Sequence, residues 1–297
     1  MSKGLVKQNL KWAQKLLPAC DGDLSHAKRQ LVWLKEKVVF DHRGKQYSSL
    51  DTLSQQEQER LETYIDQRVN QYKPLQYILG STQPFCELDI VTRPPTLIPR
   101  WETEEWTFKV IKLMHQHLDQ SRPLRVLDIC TGSGCIALAL AKHLPKDSAE
   151  IIGLDISNKA IDLANHNLNL HKSDLQNSVE FQQKDLFDLD LNGSNINLVI
   201  SNPPYITHQE YESLDPDVKY WEDSRALVTD DQGTHIHKKI IQLAKYCQPL
   251  DNIPRLLMEM GGTHQVNTLT KQMQLNGFNN ITVWKDLAEK DRVIYGF

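Results

Sequence analysis

From about residue 105 to its end, the chain alternates between two hydrophobic periods. This alternation restricts what it can fold into. Short apolar runs of strand length occur at Arg125–Asp128, Ile151–Asp155, Val179–Gln182, Leu198–Ser201 and Leu256–Met260. Segments with helical spacing lie before and between them: Val110–Leu118, Ile136–Leu144, Ala160–Leu170, Ile236–Cys247 and Val266–Leu275. Strands and helices alternating at these lengths form βαβ units on a mostly parallel sheet. The link between Ile281–Trp284 and Val293–Phe297 is too short for a crossover, so this last pair is expected to be antiparallel. The expected class is α/β.

Residues 1–73 read differently, as a small helical domain. Ser25 is placed to cap a helix carrying Ala27, Leu31, Leu34 and Val38, and Asp41–Lys45 reads as a turn. Ser54 and Glu57 form an S-x-x-E capping box ahead of Leu61, Tyr64, Ile65 and Val69. In residues 74–100, Pro74, Gly80, Pro84, Pro94, Pro95 and Pro99 break helices. Phe85–Val91 alternates as a half-buried strand does. The predicted organisation is a helical domain over 1–73, a β-hairpin connector over 74–100 and the α/β domain over 101–297.

Charge separates the same regions. Residues 1–73 hold 13 basic and 9 acidic side chains, a net of +4, and the remainder of the chain carries −8. The excess lies in Lys3, Lys7, Lys11 and Lys15, ahead of the first acid, Asp21. With Leu5, Val6, Leu10, Trp12, Ala13, Leu16 and Leu17 on a helical period, this segment fits a first helix. It also has the basic, acid-free amphipathic pattern of a mitochondrial presequence. A body of −8 argues against duplex nucleic acid as a direct partner, because such binding rests on Lys and Arg neutralising phosphates. No apolar run approaches the ~20 residues that span a bilayer, so no membrane partner is expected. Five cysteines, an odd count without C-x-x-C, fit reduced thiols. Cys130 and Cys135 lack a second Cys/His pair at zinc spacing, so no metal is expected. The pairs His115/His117 and His235/His237 read as solvated.

The chemistry concentrates at two strand ends. The first strand ends at Asp128 and runs into Ile129-Cys130-Thr131-Gly132-Ser133-Gly134. Glycines at a strand-to-helix turn allow close backbone approach to a ligand. Asp155, ending the next strand, can accept both hydroxyls of a ribose. A nucleoside-containing cofactor is implied. Ala137 three residues after Gly134 leaves a dinucleotide open; the run from Asp128 through Gly132 to Gly134, D-x-x-x-G-x-G, resembles the first motif of S-adenosylmethionine-dependent methyltransferases, which tilts the choice to that cofactor. The second end is Ser201-Asn202-Pro203-Pro204-Tyr205. Prolines fix φ and lack N–H donors. What remains is the Asn202 side-chain oxygen, nearby carbonyls and the flat face of Tyr205. This set suits a planar –NH2 group, which offers two hydrogens and a face.

With these motifs the chain resembles the HemK/PrmC family of protein-(glutamine-N5) methyltransferases, which modify the Gly-Gly-Gln loop of release factors. The resemblance spans nearly the whole chain. It includes Leu75–Gly80, Ile98-Pro99-Arg100 with Thr103-Glu104, Glu259 with Gly261 and Gln265, and Asp286–Ala288 with Asp291–Val293. It implies a seven-stranded Rossmann-like (class I) methyltransferase sheet with a small N-terminal helical domain joined by a β-hairpin. The implied cofactor is S-adenosyl-L-methionine, held by Asp128, Cys130, Thr131, Gly132, Ser133, Gly134, Asp155, Asp185, Leu186 and Asn202. The substrate glutamine would meet Asn202, Pro203, Pro204 and Tyr205, with Arg100 and Glu104 beside it; Asn202, Pro203 and Tyr205 are the expected catalytic group. Trp101-Glu102, Leu186, Asp223 and Glu289 depart from the usual pattern; Leu186 replaces an aromatic and Glu289 a glycine. The strings Pro99–Trp106 and Gly134–Leu140 resemble the fungal mitochondrial branch. That implies a matrix enzyme, otherwise a cytoplasmic one, acting as a monomer on a peptide-chain release factor. Glutamine methylation of a ribosomal protein and amino methylation of a nucleic-acid base are the alternatives.

Overall fold

A computed structural model of the chain describes residues 3–48, 52–80, 82–118 and 122–297. They form two compact units. One takes the chain up to Thr82 together with Asp215–Trp221, and the other takes Gln83–Leu214 and Glu222–Phe297. The first unit thus runs past residue 73 and includes a short segment from far along the chain.

The first unit holds α1 (Lys3–Leu16), α2 (Leu24–Arg43), α3 (Gln55–Val69) and α4 (Leu75–Leu79). Its core gathers Trp12, Leu16, Leu31, Leu34, Leu61, Ile65 and Ile78. α1 therefore serves as a first helix, with Lys7, Lys11 and Lys15 on its outer side. The cap of α2 is Asp23, not Ser25. Its carboxylate accepts from the N–H groups of Ser25 (2.7 Å) and His26 (3.2 Å). The helix runs on to Arg43 and stops at Gly44 in a left-handed conformation, so the expected turn starts three residues late. α4 forms where the prolines were expected to exclude a helix. Pro74 precedes its first turn, where a missing N–H costs nothing, and Gly80 ends it. Arg68 pairs with Asp217 at 3.3 Å, and the Trp221 indole donates to the Gln71 carbonyl at 2.8 Å.

The second unit begins with a hairpin, β1 (Thr82–Phe85) and β2 (Leu88–Val91). The single strand expected over Phe85–Val91 is broken by Cys86 and Glu87, both left-handed (φ 47° and 59°). Then follow α5 (Trp101–His117), β3 (Leu124–Ile129), α6 (Cys135–His143), β4 (Ala149–Asp155), α7 (Asn158–His171), β5 (Ser178–Gln183) and β6 (Leu198–Ser201). After them come α8 (His208–Glu212), α9 (Pro216–Trp221, of the first unit), α10 (Asp230–Gly233) and α11 (His235–Ala244). β7 (Leu256–Glu259), α12 (Thr263–Leu275), β8 (Thr282–Lys285) and β9 (Asp291–Gly296) complete the chain.

The sheet has seven strands in the order β5-β4-β3-β6-β7-β9-β8. β9 runs antiparallel to both β7 and β8, as expected for the closing pair, and the other pairings are parallel. β6 and β7 are buried on both faces, as strands covered by helices on either side must be. The chain runs outward from β3 through β4 to β5, then returns to place β6 on the other side of β3. Such a reversal opens a crevice at the carboxyl ends of the strands. The register aligns Ile129 with Ser201, and Ser201 with Met258. Cys130 and Asn202 thus follow the ends of β3 and β6, and Glu259 closes β7, each one step beyond aligned residues. Glu289, where a glycine is usual, has φ 60°, the backbone that favours glycine.

The Ser54–Glu57 capping box forms as expected. Glu57 is buried and also accepts from Arg43 Nε (2.6 Å) and Nη2 (2.5 Å). The Arg43 guanidinium, ahead of the Ser54 N–H, holds the Glu57 carboxyl down at about 2. A carboxyl lowered on folding adds stability above its ordinary value, near 4.5, and loses it as pH falls toward 2. Thermal unfolding followed from pH 5 to pH 2 should show the helical unit losing stability through this window. Glu57→Gln should be less stable at pH 5 and flatter across it.

Candidate active site

The turn after β3 is built on backbone that few residues adopt. Cys130, Gly132 and Gly134 have φ of 62°, 58° and 80°. Its hydrogen bonds run to the neighbouring strand: Thr131 N–H donates to Leu154 O (2.9 Å) and Gly132 N–H to Asp155 Oδ2 (3.0 Å). Asp155 Oδ1 accepts from Ser157 N–H at 2.9 Å. Each oxygen of Asp155 thus carries one hydrogen bond and keeps capacity for another. Burial raises its pKa, offset by the Ser157 and Gly132 N–H groups. Asp128 lies beneath the turn and is wholly buried. Thr131 Oγ1–H donates to its Oδ2 at 2.6 Å, and Oδ1 has no partner among the described residues. Burial pushes this carboxyl up to about 7.

A cavity of about 310 Å³ opens along this turn. Cys130, Thr131, Gly132, Ser133, Asp155, Asp185, Leu186, Asn202 and Pro204 line it. Asp128, Gly134, Pro203, Tyr205, Arg100 and Glu104 do not, so the structure brings together nine of the fifteen expected residues on the cavity wall itself. Asp128 reaches the wall through Thr131. Arg100 pairs with buried Glu222 at 2.5 Å, and Asp223 N–H donates to Pro95 O at 2.7 Å. These bonds hold two segments, 95–99 and 223–226, that form part of the wall. Glu104 accepts from Cys86 N–H at 2.7 Å and stabilises the hairpin turn.

Asp185 caps its own short turn, accepting from Phe187 N–H at 2.9 Å. Leu186 stands where an aromatic is usual, and Phe187 next to it lines the cavity with its ring stacked on His235 (5.4 Å between centroids). Ile156, directly after Asp155, is also at the wall.

At the reacting end, Asn202 Nδ2 donates to Thr103 Oγ1 (3.1 Å) and Tyr205 O–H donates to Glu259 Oε1 (3.1 Å). Burial, then the nearby Glu259 carboxylate, raises the Tyr205 phenol, which stays neutral. Burial also raises Glu259. His237, expected to be solvated, is fully buried and contacts the Glu259 carbonyl through Nε2 (2.8 Å). Desolvation lowers it to about 4, so it is neutral near pH 7.

Residues 109–215 match the Methyltransferase small domain family. A release factor glutamine methyltransferase of Geobacter sulfurreducens is 32% identical and aligned over 98% of this chain and 96% of its own. The mitochondrial MRF1 N(5)-glutamine methyltransferase MTQ1 of Saccharomyces cerevisiae is 31% identical over 95% of this chain and 82% of its own. The chain belongs to the release factor glutamine methyltransferase family. A further member, from Fusobacterium nucleatum, is 35% identical, and this chain spans 66% of its length. Among solved structures, the catalytic domain of hMettl16 in complex with MAT2A 3'UTR hairpin 6 shares the fold. Its TM-score is 0.52, with 16% identity, 84% of this chain and 86% of that one covered.

The family's cofactor is S-adenosyl-L-methionine, and the residues present suit it. Asp155 retains acceptor capacity for hydroxyls, and Ile156, Leu186 and Phe187 offer apolar surface for a purine. Asp128 supports the turn from behind through its hydrogen bond with Thr131. The sequence did not single out Thr103 or Phe187 as site residues. Glu259 carried a visible signal: a charge closing a strand otherwise wholly apolar.

The two glycines of the turn are needed for different reasons. A Cβ on Gly134 would lie 2.6 Å from the Phe181 ring, whereas one on Gly132 meets only Thr96 Cγ2, at 4.0 Å. Gly134→Ala combines overpacking with left-handed strain and should cost about 2–4 kcal/mol in chemical denaturation. Gly132→Ala should fold with a cost near ~1 kcal/mol yet weaken S-adenosylmethionine binding, read by calorimetry, by about tenfold or more.

Proposed function

We propose that this enzyme methylates the side-chain amide nitrogen (N5) of the glutamine in the Gly-Gly-Gln motif of a peptide-chain release factor, the mitochondrial one. The observation that carries the reading is the placement of Asn202 on the cavity wall, followed by two prolines and Tyr205. Relatives named for release factors, and in Saccharomyces cerevisiae and Schizosaccharomyces pombe for mitochondrial MRF1, support the substrate and the compartment. The acid-free basic face of α1 agrees with the compartment, and the helical region over 1–73 is the proposed recognition domain.

An amide nitrogen is a weak nucleophile, since its lone pair is delocalised into the carbonyl. Asn202 Oδ1 and the Pro203 carbonyl accept its two hydrogens, which orients the nitrogen and returns electron density to it. Pro203 and Pro204 have no N–H groups to compete for these acceptors and hold the run rigid. Tyr205, neutral and tied to Glu259, offers a flat face to the amide plane. Bound S-adenosylmethionine supplies a methyl group on a positively charged sulfur. The nitrogen oriented by Asn202 and the Pro203 carbonyl would take that methyl group, its lone pair forming the N–C bond while the sulfur would leave as a neutral thioether. The alkylated amide nitrogen would be strongly acidic and would release its proton to water, so no side chain needs to act as a strong base. Positioning provides most of the catalysis.

Asp128, Cys130, Thr131, Gly132, Ser133, Gly134, Asp155, Asp185, Leu186 and Asn202 are the proposed cofactor residues. Arg100 and Glu104 would act through the segments they hold in place.

The test is mass spectrometry of a Gly-Gly-Gln release factor incubated with enzyme and S-adenosylmethionine. A gain of one methylene unit on that glutamine is expected. Its absence, with cofactor binding demonstrated, sinks the reading; transfer to nucleic acid but not protein would favour the base-methylating alternative. Asn202→Ala should bind cofactor and lose at least ~100-fold in turnover, the scale of one positioned catalytic group.

A further inference from the structure

Behind the reacting end, buried side chains from α5 and β7 form one hydrogen-bonded chain that ends on Asn202. Glu259 is 1% exposed and receives three hydrogens. Trp106 Nε1–H and Thr103 Oγ1–H both reach Oε2, each at 2.7 Å, and Tyr205 O–H reaches Oε1 at 3.1 Å. Asn202 Nδ2 lies 3.1 Å from Thr103 Oγ1.

The donor inventory fixes the direction of this chain. An indole N–H can only donate, so Oε2 must be an acceptor. Were Glu259 to take up a proton, it would sit on Oε1, and Oε2 would still accept. Thr103 has one hydroxyl hydrogen and commits it to Oε2. Only lone pairs remain on Thr103 Oγ1, and only the –NH2 end of the Asn202 amide can face them. The Asn202 oxygen therefore points away from Thr103. In the reverse orientation Asn202 would set its own –NH2 against the –NH2 of a substrate amide, donor against donor.

We infer that Thr103, anchored by Glu259 and Trp106, is a positioning residue that holds the Asn202 amide with its oxygen toward the substrate amide. This rests on the reading of Asn202 as the acceptor of the glutamine hydrogens. Gln265 grips the other end of the same run. Its Nε2 donates to the Tyr205 carbonyl (3.0 Å) and the Gly233 carbonyl (3.1 Å), and its Oε1 accepts from Gly261 N–H (2.8 Å). The Asn202–Tyr205 segment is thus fixed at its first side chain by α5 and at its last by β7 and α12.

Steady-state kinetics of the full-length enzyme on a purified Gly-Gly-Gln release factor tests the role. Thr103→Val keeps the shape and removes the hydroxyl; Thr103→Ser keeps the hydroxyl. Thr103→Val should lose roughly 10- to 100-fold in kcat, the usual cost of removing a partner that orients a functional group. KM for the release factor and Kd for S-adenosylmethionine should stay within about threefold, because the lost interaction serves the transition state. Thr103→Ser should restore kcat to within about threefold of wild type. Thr103→Ala makes the same deletion without the added methyl, and serves if Thr103→Val unfolds at lower temperature or fails to bind cofactor. Wild-type kcat in Thr103→Val or Thr103→Ala, beside an inactive Asn202→Ala, overturns the positioning role and leaves the proposed function standing. A Thr103→Ser enzyme as slow as Thr103→Val overturns it as well, since the methyl and not the hydroxyl would then matter. Asn202→Ala turning over at the wild-type rate removes Asn202 from the mechanism and this role with it.

Discussion

The parallel pairing of β3 with β6, and of β6 with β7, is the constraint on which the site depends. Ile129 stands opposite Ser201, and Ser201 opposite Met258. The next residue on each strand is Cys130, Asn202 or Glu259. A glycine turn, an asparagine amide and a buried carboxylate therefore stand side by side at the strand ends. Because side chains alternate faces, slipping any of these strands by one residue would send the wrong side chain into the crevice. The apolar residues of β6 and β7, buried on both faces, hold that register.

Carboxylates carry much of the organisation above the sheet. Asp128, Asp155 and Glu259 are all raised by burial, and each is compensated by hydrogen-bond donors from the turn or helix beside it. Their partners are Thr131, the N–H groups of Gly132 and Ser157, and the trio of Thr103, Trp106 and Tyr205. A buried carboxylate stays put only if donors meet it, and those donors become fixed in return. The charge serves geometry: it holds the cofactor turn against β4 and the Asn202–Tyr205 run against α5.

The α/β class, the antiparallel closing pair and the two chemical strand ends were legible because they depend on period and on short contiguous motifs. What was missed depended on distant residues. The hairpin turn uses left-handed Cys86 and Glu87, neither of which signals a turn. α4 fits between Pro74 and Gly80 because those breakers sit at its ends. Asp23 takes the cap from Ser25 by reaching two N–H groups at once. His237 reads as solvated because i and i+2 diverge at a helix start, so the His235/His237 pair forms no site; its contact with the carbonyl of Glu259, 22 residues on, lies inside the fold. Thr103 lay within a matched motif, but its role appears only once α5 is set against β7. Phe187, one position beyond Leu186, brings an aromatic ring to the cavity wall, a shift that motif spacing conceals.

The central claim is that Asn202 presents its oxygen to the amide nitrogen that receives the methyl group. A crystal structure of the enzyme with S-adenosylhomocysteine and a Gly-Gly-Gln release-factor loop tests this most directly. The glutamine nitrogen is expected within about 3 Å of both Asn202 Oδ1 and the Pro203 carbonyl, with Thr103 Oγ1 on the far side of the Asn202 amide. A glutamine amide bound elsewhere, or an Asn202 whose nitrogen remains free while its oxygen faces Thr103, would contradict it.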